Sequence, residues 1–335
     1  MREETIGGER IELAQGRRLA GYAWFVLAFN LLTIVWGAYV RASYSGDGCG
    51  SHWPLCNGEV IPAAGAVKTL VEFAHRMSSG VAVLLVVGLV VSALRVRPKG
   101  DRVRRATLAA LGFIFVEALV GAALVKFRLV VSDDSAARAC VMSFHLANTF
   151  FLLGSLALAA WWAGGGARVR LRGQGNTPLL FGIALVGALF VAATGAVTAL
   201  GDTLFPARTL AEGLRQDLST THFLLKLRTL HPAIALTVGC YAVMLASYTA
   251  NFVRASRALR RTSSLLACVF VAQVIVGVLN ITLLAPVALQ LTHLFVADLF
   301  WIALVLTTAS ALADDATAET RDAEQPSLQP AVEQT

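Results

Sequence analysis

Eight apolar runs of about 20 residues divide this 335-residue chain, and that repetition limits its fold more than any other feature. They fall at about 22–40, 71–94, 106–125, 140–163, 178–200, 229–250, 264–285 and 289–313. At about 1.5 Å per residue, a helix of that length crosses the roughly 30 Å hydrocarbon core of a bilayer. The runs are continuous rather than alternating, and a sheet in lipid would have to close into a barrel, so strands are not expected. Hydrophobic residues make up 56% of the chain and charged residues 15%, with a mean hydropathy of +0.67, which excludes an ordinary soluble domain. The expected fold class is an all-α integral membrane protein with eight transmembrane helices.

The basic residues assign an orientation. Arg2, Arg10, Arg17 and Arg18 precede the first run, and Arg95, Arg97, Lys99, Arg102, Arg104 and Arg105 follow the second. Arg168, Arg170 and Arg172 follow the fourth, and Arg254, Arg257, Arg260 and Arg261 the sixth. All lie on one side, and the longer opposite loops are poorer in base, so both termini are expected in the cytoplasm of a multi-pass cell-membrane protein. The net charge of +7 therefore reads as topology information, with no nucleic-acid partner. The first 20 residues are polar and hold Glu3, Glu4, Glu9 and Glu12, which does not describe a cleavable signal. The expected organisation is a cytoplasmic tail at 1–21, a four-helix half at 22–163 with an outer loop at 41–70, a linker at 164–177, a second four-helix half at 178–313, and a disordered acidic tail at 314–335.

Four histidines occupy matching places, each near the start of an apolar run: His75 in EFAHRMSSG, His145 in MSFHLANTF, His231 in RTLHPAIAL and His293 in LTHLFVADL. His75 to His231 is a step of 156 residues and His145 to His293 one of 148; Glu117 to Gln273 is again 156. Gly121 and Gly277 follow Glu117 and Gln273 by one helical turn, and Gly37 and Gly195 sit late in the first and fifth runs. This pattern predicts a tandem duplication giving two pseudo-symmetric four-helix bundles. Alternate runs share a direction, so all four histidines should lie toward the extracellular side at matched depth. A lone histidine in a membrane is more often an interhelical contact. Two pairs at equal depth in a duplicated frame favour two bis-histidine sites for a metal or haem, and zinc is disfavoured because each half lacks a set of four ligands. The glycines read either as ordinary helix packing, the plainer alternative, or as room for a flat macrocycle.

Cys49 and Cys56 lie together in SGDGCGSHWPLCNGEV, in a loop expected to face an oxidising compartment, which favours a disulfide. A structural staple and a redox role both remain open. Cys140, Cys240 and Cys268 are expected as small core residues, and His52 and His222, without repeat partners, as surface histidines. The halves differ before the first histidine of each pair: Glu72 stands three residues before His75, where Arg228 stands before His231. Positions i and i+3 share a helix face. A carboxylate at membrane depth is costly unless protonated, paired or used, so Glu72 is either an acid–base group or the partner of Arg76. Arg76 and Arg228 suit haem propionates, since guanidinium matches carboxylate.

The segments EFAHR at 72–76, GSHWPLCNG at 50–58 and QVIVGVLNITLLAPVALQLTH at 273–293, with the loop cysteines and the four histidines, resemble the haem A synthase family over roughly 20–312. The resemblance implies oxidation of the methyl group of haem O to a formyl group, its oxygen coming from water, to make haem A for terminal oxidases. It implies that His75 and His145 bracket the substrate haem and that His231 and His293 ligate a resident heme b. Glu72 matches the catalytic glutamate, and Cys49 with Cys56 the loop disulfide linked to activity or haem handover. Haem O synthase (protohaem farnesyltransferase) would be the donor, terminal oxidase assembly the acceptor, and membrane lipid the surroundings; a homo-oligomer stays open. One departure is the absence of a second cysteine pair in residues 201–228. A quinol-linked di-haem b cytochrome would share the histidines but gives no reason for Glu72 on one side only. A transporter using the histidines and Glu117 as a proton path would be colourless.

Overall fold

Backbone polar groups in lipid have to bond within their own segment, so continuous apolar runs become helices. The structure, a computed structural model, describes residues 2–63, 65–219, 222–254 and 256–314, with side chains from residue 14. Its helices are α1 (Arg2–Ala42), α2 (Val67–Val96), α3 (Arg102–Lys126), α4 (Ala136–Ala163), α5 (Thr177–Leu204), α6 (Leu210–Ser219), α7 (Phe223–Tyr248), α8 (Arg257–Thr282) and α9 (Val287–Ala311). A π-helical turn, Thr249–Val253, prolongs α7. Eight of the helices, all but α6, are long and apolar enough to cross a membrane. Among the described residues, β pairing is limited to two isolated bridges.

Polar residues mark the helix starts. Asp101 accepts from the Val103 amide at 2.7 Å and Ser135 from the Arg138 amide at 3.2 Å, satisfying donors that the first turn leaves open. Pro178 stands in the first turn of α5, where its missing N–H costs nothing. Residues 2–21, expected as a cytoplasmic tail, continue the first span as one helix, with four Glu and four Arg, both good helix formers, along this stretch. The short helix α6 was not anticipated; Leu210, Leu214 and Leu218 recur every four residues along it, giving an apolar stripe between polar faces. Residues 315–335 of the expected acidic tail lie outside the described residues.

The spans are unequally enclosed. In α9 61% of the apolar window is buried and in α4 44%, against 6% in α8, so α4 and α9 form the centre and α8 the rim. The largest buried cluster draws on all eight spans, and the expected halves thus share one core. Lipid tails are as apolar as leucine, so helices associate through close packing, which small side chains permit. Ala20, Ala23, Ala82, Ala110, Ala157, Ala160, Ala188 and Ala242 accordingly line the contacts. At the α4–α9 seam the Trp301 indole donates to the Phe150 carbonyl at 2.5 Å, and the two rings stack at 5.0 Å. Arg41 ties the end of α1 to α5 and α9, donating to the Ala199 carbonyl at 2.6 Å, to Thr203, and to Gln290 at 3.1 Å. The three free cysteines correct the reading given above: Cys140, Cys240 and Cys268 are exposed, not core. In a bilayer both faces of a helix are apolar, so composition does not separate core from lipid contact.

Candidate functional site

His75 lies in the third turn of α2 and His145 in the third turn of α4, and the two imidazoles are within electrostatic reach of each other. Gly37 of α1 backs the His75 ring so closely that a Cβ there would stand 2.8 Å from it. His75 Nδ1 is buried without a hydrogen-bond partner. His145 differs, since its Nδ1 stands 3.1 Å from the carboxylate of Glu117 on α3. That carboxylate also receives the Asn148 amide and the Thr149 hydroxyl, each at 2.5 Å. His145, Asn148 and Thr149 occupy i, i+3 and i+4, one face of α4, so a single acid from the neighbouring helix grips them all. Gly121, one turn beyond Glu117, faces open space. An apolar groove of about 450 Å³ runs between α3 and α4 beside this pair, lined by Val116, Val120, Ala123, Cys140, Val141 and Phe144.

Above His75 sits the cysteine loop. Cys49 and Cys56 are joined by a disulfide and both are buried. The Cys49 amide donates to Glu72 Oε2 at 2.8 Å, and the Thr69 hydroxyl to the Gly48 carbonyl at 2.8 Å. A Cβ at Gly48 would stand 2.5 Å from the Lys68 carbonyl, so the loop can lie on α2 only with glycine there. Glu72 is 3% exposed and pairs with Arg76, one turn along, at 2.5 Å. Arg76 in turn donates to the carbonyls of His52 and Leu55, each at 2.6 Å. Of the alternatives left open for Glu72, the structure shows the pairing with Arg76, and the carboxylate also accepts from the amide of a disulfide cysteine.

The second pair follows a related plan. His231 of α7 lies against Gly195 of α5, where a Cβ would stand 3.1 Å from the ring, and its Nδ1 is 2.9 Å from the Thr194 hydroxyl. His293 of α9 lies against Gly277 of α8, where a Cβ would stand 3.2 Å away, and its Nε2 is 3.2 Å from the Gln273 amide. The two imidazoles are within electrostatic reach of each other. Arg228 pairs with Asp217 of α6 and with Asp202 of α5 at 3.4 Å. Both propionate candidates, Arg76 and Arg228, thus already carry protein acceptors.

Three of the four histidine rings are faced by a glycine, which removes side-chain bulk beside the ring. Paired imidazoles, with bulk cleared beside three of them, fit a flat iron macrocycle, and among the described residues no cluster of three or more His, Cys, Asp or Glu could hold a lone metal ion. His52 is exposed as expected, whereas His222 is half-buried: it caps α7, stands 3.4 Å from Asp134 and stacks on Phe223. Sequence reading missed Arg41 and Asp298. Asp298, five residues after His293 on α9, is fully buried, and neither carboxylate oxygen has a hydrogen-bond partner. An aspartate within an apolar run was the available signal for it.

A family model described as COX15-CtaA, cytochrome oxidase assembly protein, matches residues 20–305. A Thermus thermophilus protein named protoheme IX farnesyltransferase is 50% identical over 296 residues, 88% of this chain and 48% of that protein. A heme A synthase of Symbiobacterium thermophilum is 40% identical over 136 residues, 39% of this chain and 42% of its own length, and one of Macrococcus caseolyticus is 37% identical over 112 residues, 33% and 37%. The chain thus spans about half the length, or less, of these curated relatives.

Proposed function

Because the chain belongs to the COX15-CtaA family of cytochrome oxidase assembly proteins, the family that includes the heme A synthases, we propose that it is a multi-pass membrane oxidoreductase that converts the methyl group of haem O to the formyl group of haem A. The observation that carries this reading is the pairing of His75 with His145 and of His231 with His293, on helices that share one core. In this reading the domains are a substrate half at 22–163 and a redox half at 178–313, in the cell membrane with the histidines toward the extracellular side. His75 and His145 bracket the iron of the substrate, and the apolar groove between α3 and α4 suits its long isoprenoid tail.

His231 and His293 would hold a heme b, which when bound would supply a one-electron redox centre. The residues around it do the rest. Thr194 fixes the His231 ring through Nδ1 and leaves Nε2 for iron. Gly195 and Gly277 keep side chains clear of the Cε1 corners of the two rings. Oxidising a methyl to a formyl group with water as oxygen source releases four electrons and four protons, so a base is needed next to the substrate. Glu72 takes that role, one turn from His75, with its Oε2 anchored by the Cys49 amide. Arg76 and Arg228 meet propionates by exchanging their present acceptors.

The match to the Thermus thermophilus protein supports a donor relationship. A protein bearing the name of a farnesyltransferase contains a region like this chain and about as much again. A haem O-forming enzyme and this chain would then work on successive forms of one molecule, and terminal oxidase assembly would receive the product. The test is expression in a host that makes haem O but no haem A, followed by chromatography of extracted haems. Appearance of haem A supports the reading; a pigmented protein holding only haem B, with no haem A formed, favours a di-haem electron carrier instead.

A further inference from the structure

Among the described residues, His145 is the only one of the four paired histidines whose ring faces a carboxylate. His75 Nδ1 has no partner, His231 meets a hydroxyl, and His293 meets the neutral amide of Gln273. Glu117 and Gln273 stand 156 residues apart, the same step that relates His75 to His231, so the difference sits at equivalent places in the two halves. The acid is not a loose surface group. Its oxygens receive Asn148 and Thr149 at 2.5 Å, and those residues are 4% and 3% exposed. The grip fixes the carboxylate, whose Oε1 stands 3.1 Å from His145 Nδ1 and so meets that edge of the ring. Asn148 also donates to the Phe113 carbonyl at 2.9 Å, tying α4 to α3 a second time.

Resting on the functional reading above, we propose that Glu117 is a positioning residue that makes the iron held through His145 harder to reduce than the iron held through His293. A carboxylate accepting the Nδ1–H of a ligating imidazole raises the basicity of the ring, and the greater electron donation favours the oxidised metal. Gln273 is uncharged and gives no such bias. With haem at both sites, this side chain would make the potential on the His145 side the lower of the two, so an electron would pass downhill from the iron there to the iron on the His293 side. The four electrons of methyl oxidation would leave one at a time by that route and go on to an external one-electron acceptor, which has to reoxidise the second site between steps.

The full-length protein in detergent, loaded with haem B at both sites as probe, tests this by optical redox titration. His293→Ala protein, expected to lose the second site, identifies the signal of the first. Glu117→Gln keeps an acceptor oxygen for Nδ1–H and removes the charge, so the potential of the first site should rise while that of the second stays put. Haem affinity at the first site should fall by about 10- to 100-fold, the scale seen when such supporting groups are removed. Glu117→Asp, which keeps the charge, should hold the potential near that of the unaltered protein, an outcome that loss of packing alone would not produce. An unmoved first-site potential in Glu117→Gln, with both haems bound, overturns the role of Glu117. Failure of the unaltered protein to bind haem at either site overturns the functional reading itself.

Discussion

Replacing Glu72 by glutamine separates two roles that the structure superimposes on one side chain. The Glu72–Arg76 pair is nearly enclosed, with side chains 4% and 9% exposed. Removing one member of a buried pair ordinarily costs about 3–5 kcal/mol, because the other charge is left uncompensated. Arg76 keeps two carbonyl acceptors at 2.6 Å, and glutamine can still accept from the Cys49 amide, so the remaining cost is about 1–3 kcal/mol. That is enough to loosen the cysteine loop without unfolding eight packed helices. Loss of a general base is a separate effect of about 100- to 10,000-fold in rate, roughly 3–5 kcal/mol of barrier. Arg76→Gln supplies the control, since it breaks the same pair from the other end and leaves the carboxylate in place. Haem A formed per mole of protein, measured by chromatography, should fall far more in Glu72→Gln than in Arg76→Gln. Hydrogen exchange in residues 45–60 should rise comparably in both. Equal losses of haem A in the two variants would refute the argument and leave Glu72 as the lock of the loop.

Other outcomes follow from the same geometry. His231→Ala and His293→Ala should each remove the tightly bound b-type haem, while His75→Ala and His145→Ala leave it in place, as judged from the Soret spectrum; loss from all four would contradict two separable sites. Cys49→Ser with Cys56→Ser removes a closure spanning seven residues, which should destabilise the loop by about 2–3 kcal/mol and raise its protease sensitivity while the thermal midpoint of the helices stays put. A wild-type level of haem A from that double variant would leave the disulfide with no part in activity. Asp298→Asn keeps the shape of a fully buried side chain on α9 that has no hydrogen-bond donor, so the thermal midpoint should hold or rise. A fall of several degrees would reveal a partner for this acid.

The sequence was most informative where chemistry and period coincide. Apolar length marked all eight spans, and the matched steps marked His75, His145, His231 and His293 before any packing was known. What it concealed follows from lipid being apolar. Cys140 and Ala139 are neighbours on α4, yet the first is exposed and the second buried, and no hydropathy scale separates them. The amphipathic α6 was hidden because ten residues are too few to stand out in a polar loop. Arg41 stands just past the end of the first apolar run, and nothing local in the sequence shows that its guanidinium reaches residues 158 and 249 positions away. Contacts of that range are set by helix order in space, which one sequence does not state. Glu72 was visible as an oddity beside His75, but its bond to the Cys49 amide depends on a loop folding back over α2.

The shared core changes what duplication means for this chain. Were each half a separate bundle, its histidine pair could be adjusted without consequence for the other. Instead α4, which carries His145, packs directly on α9, which carries His293, and Trp301 is fastened to the Phe150 backbone across that seam. Gly154 lies against the same indole, where a Cβ would stand 3.3 Å from its nitrogen, so the helices cannot separate or slide by the width of a methyl group without breaking the contact. Close-packed interiors shift between discrete arrangements rather than deforming smoothly. The distance and orientation between the two sites are therefore held by this seam, while their difference in character comes from side chains beside the histidines: Glu72, one turn before His75, and Glu117, facing His145 from the next helix, in one half; Arg228 and Gln273 in the other. On the proposed function, a fixed frame with locally altered partners would let one histidine pair take on chemistry while the other serves electron transfer.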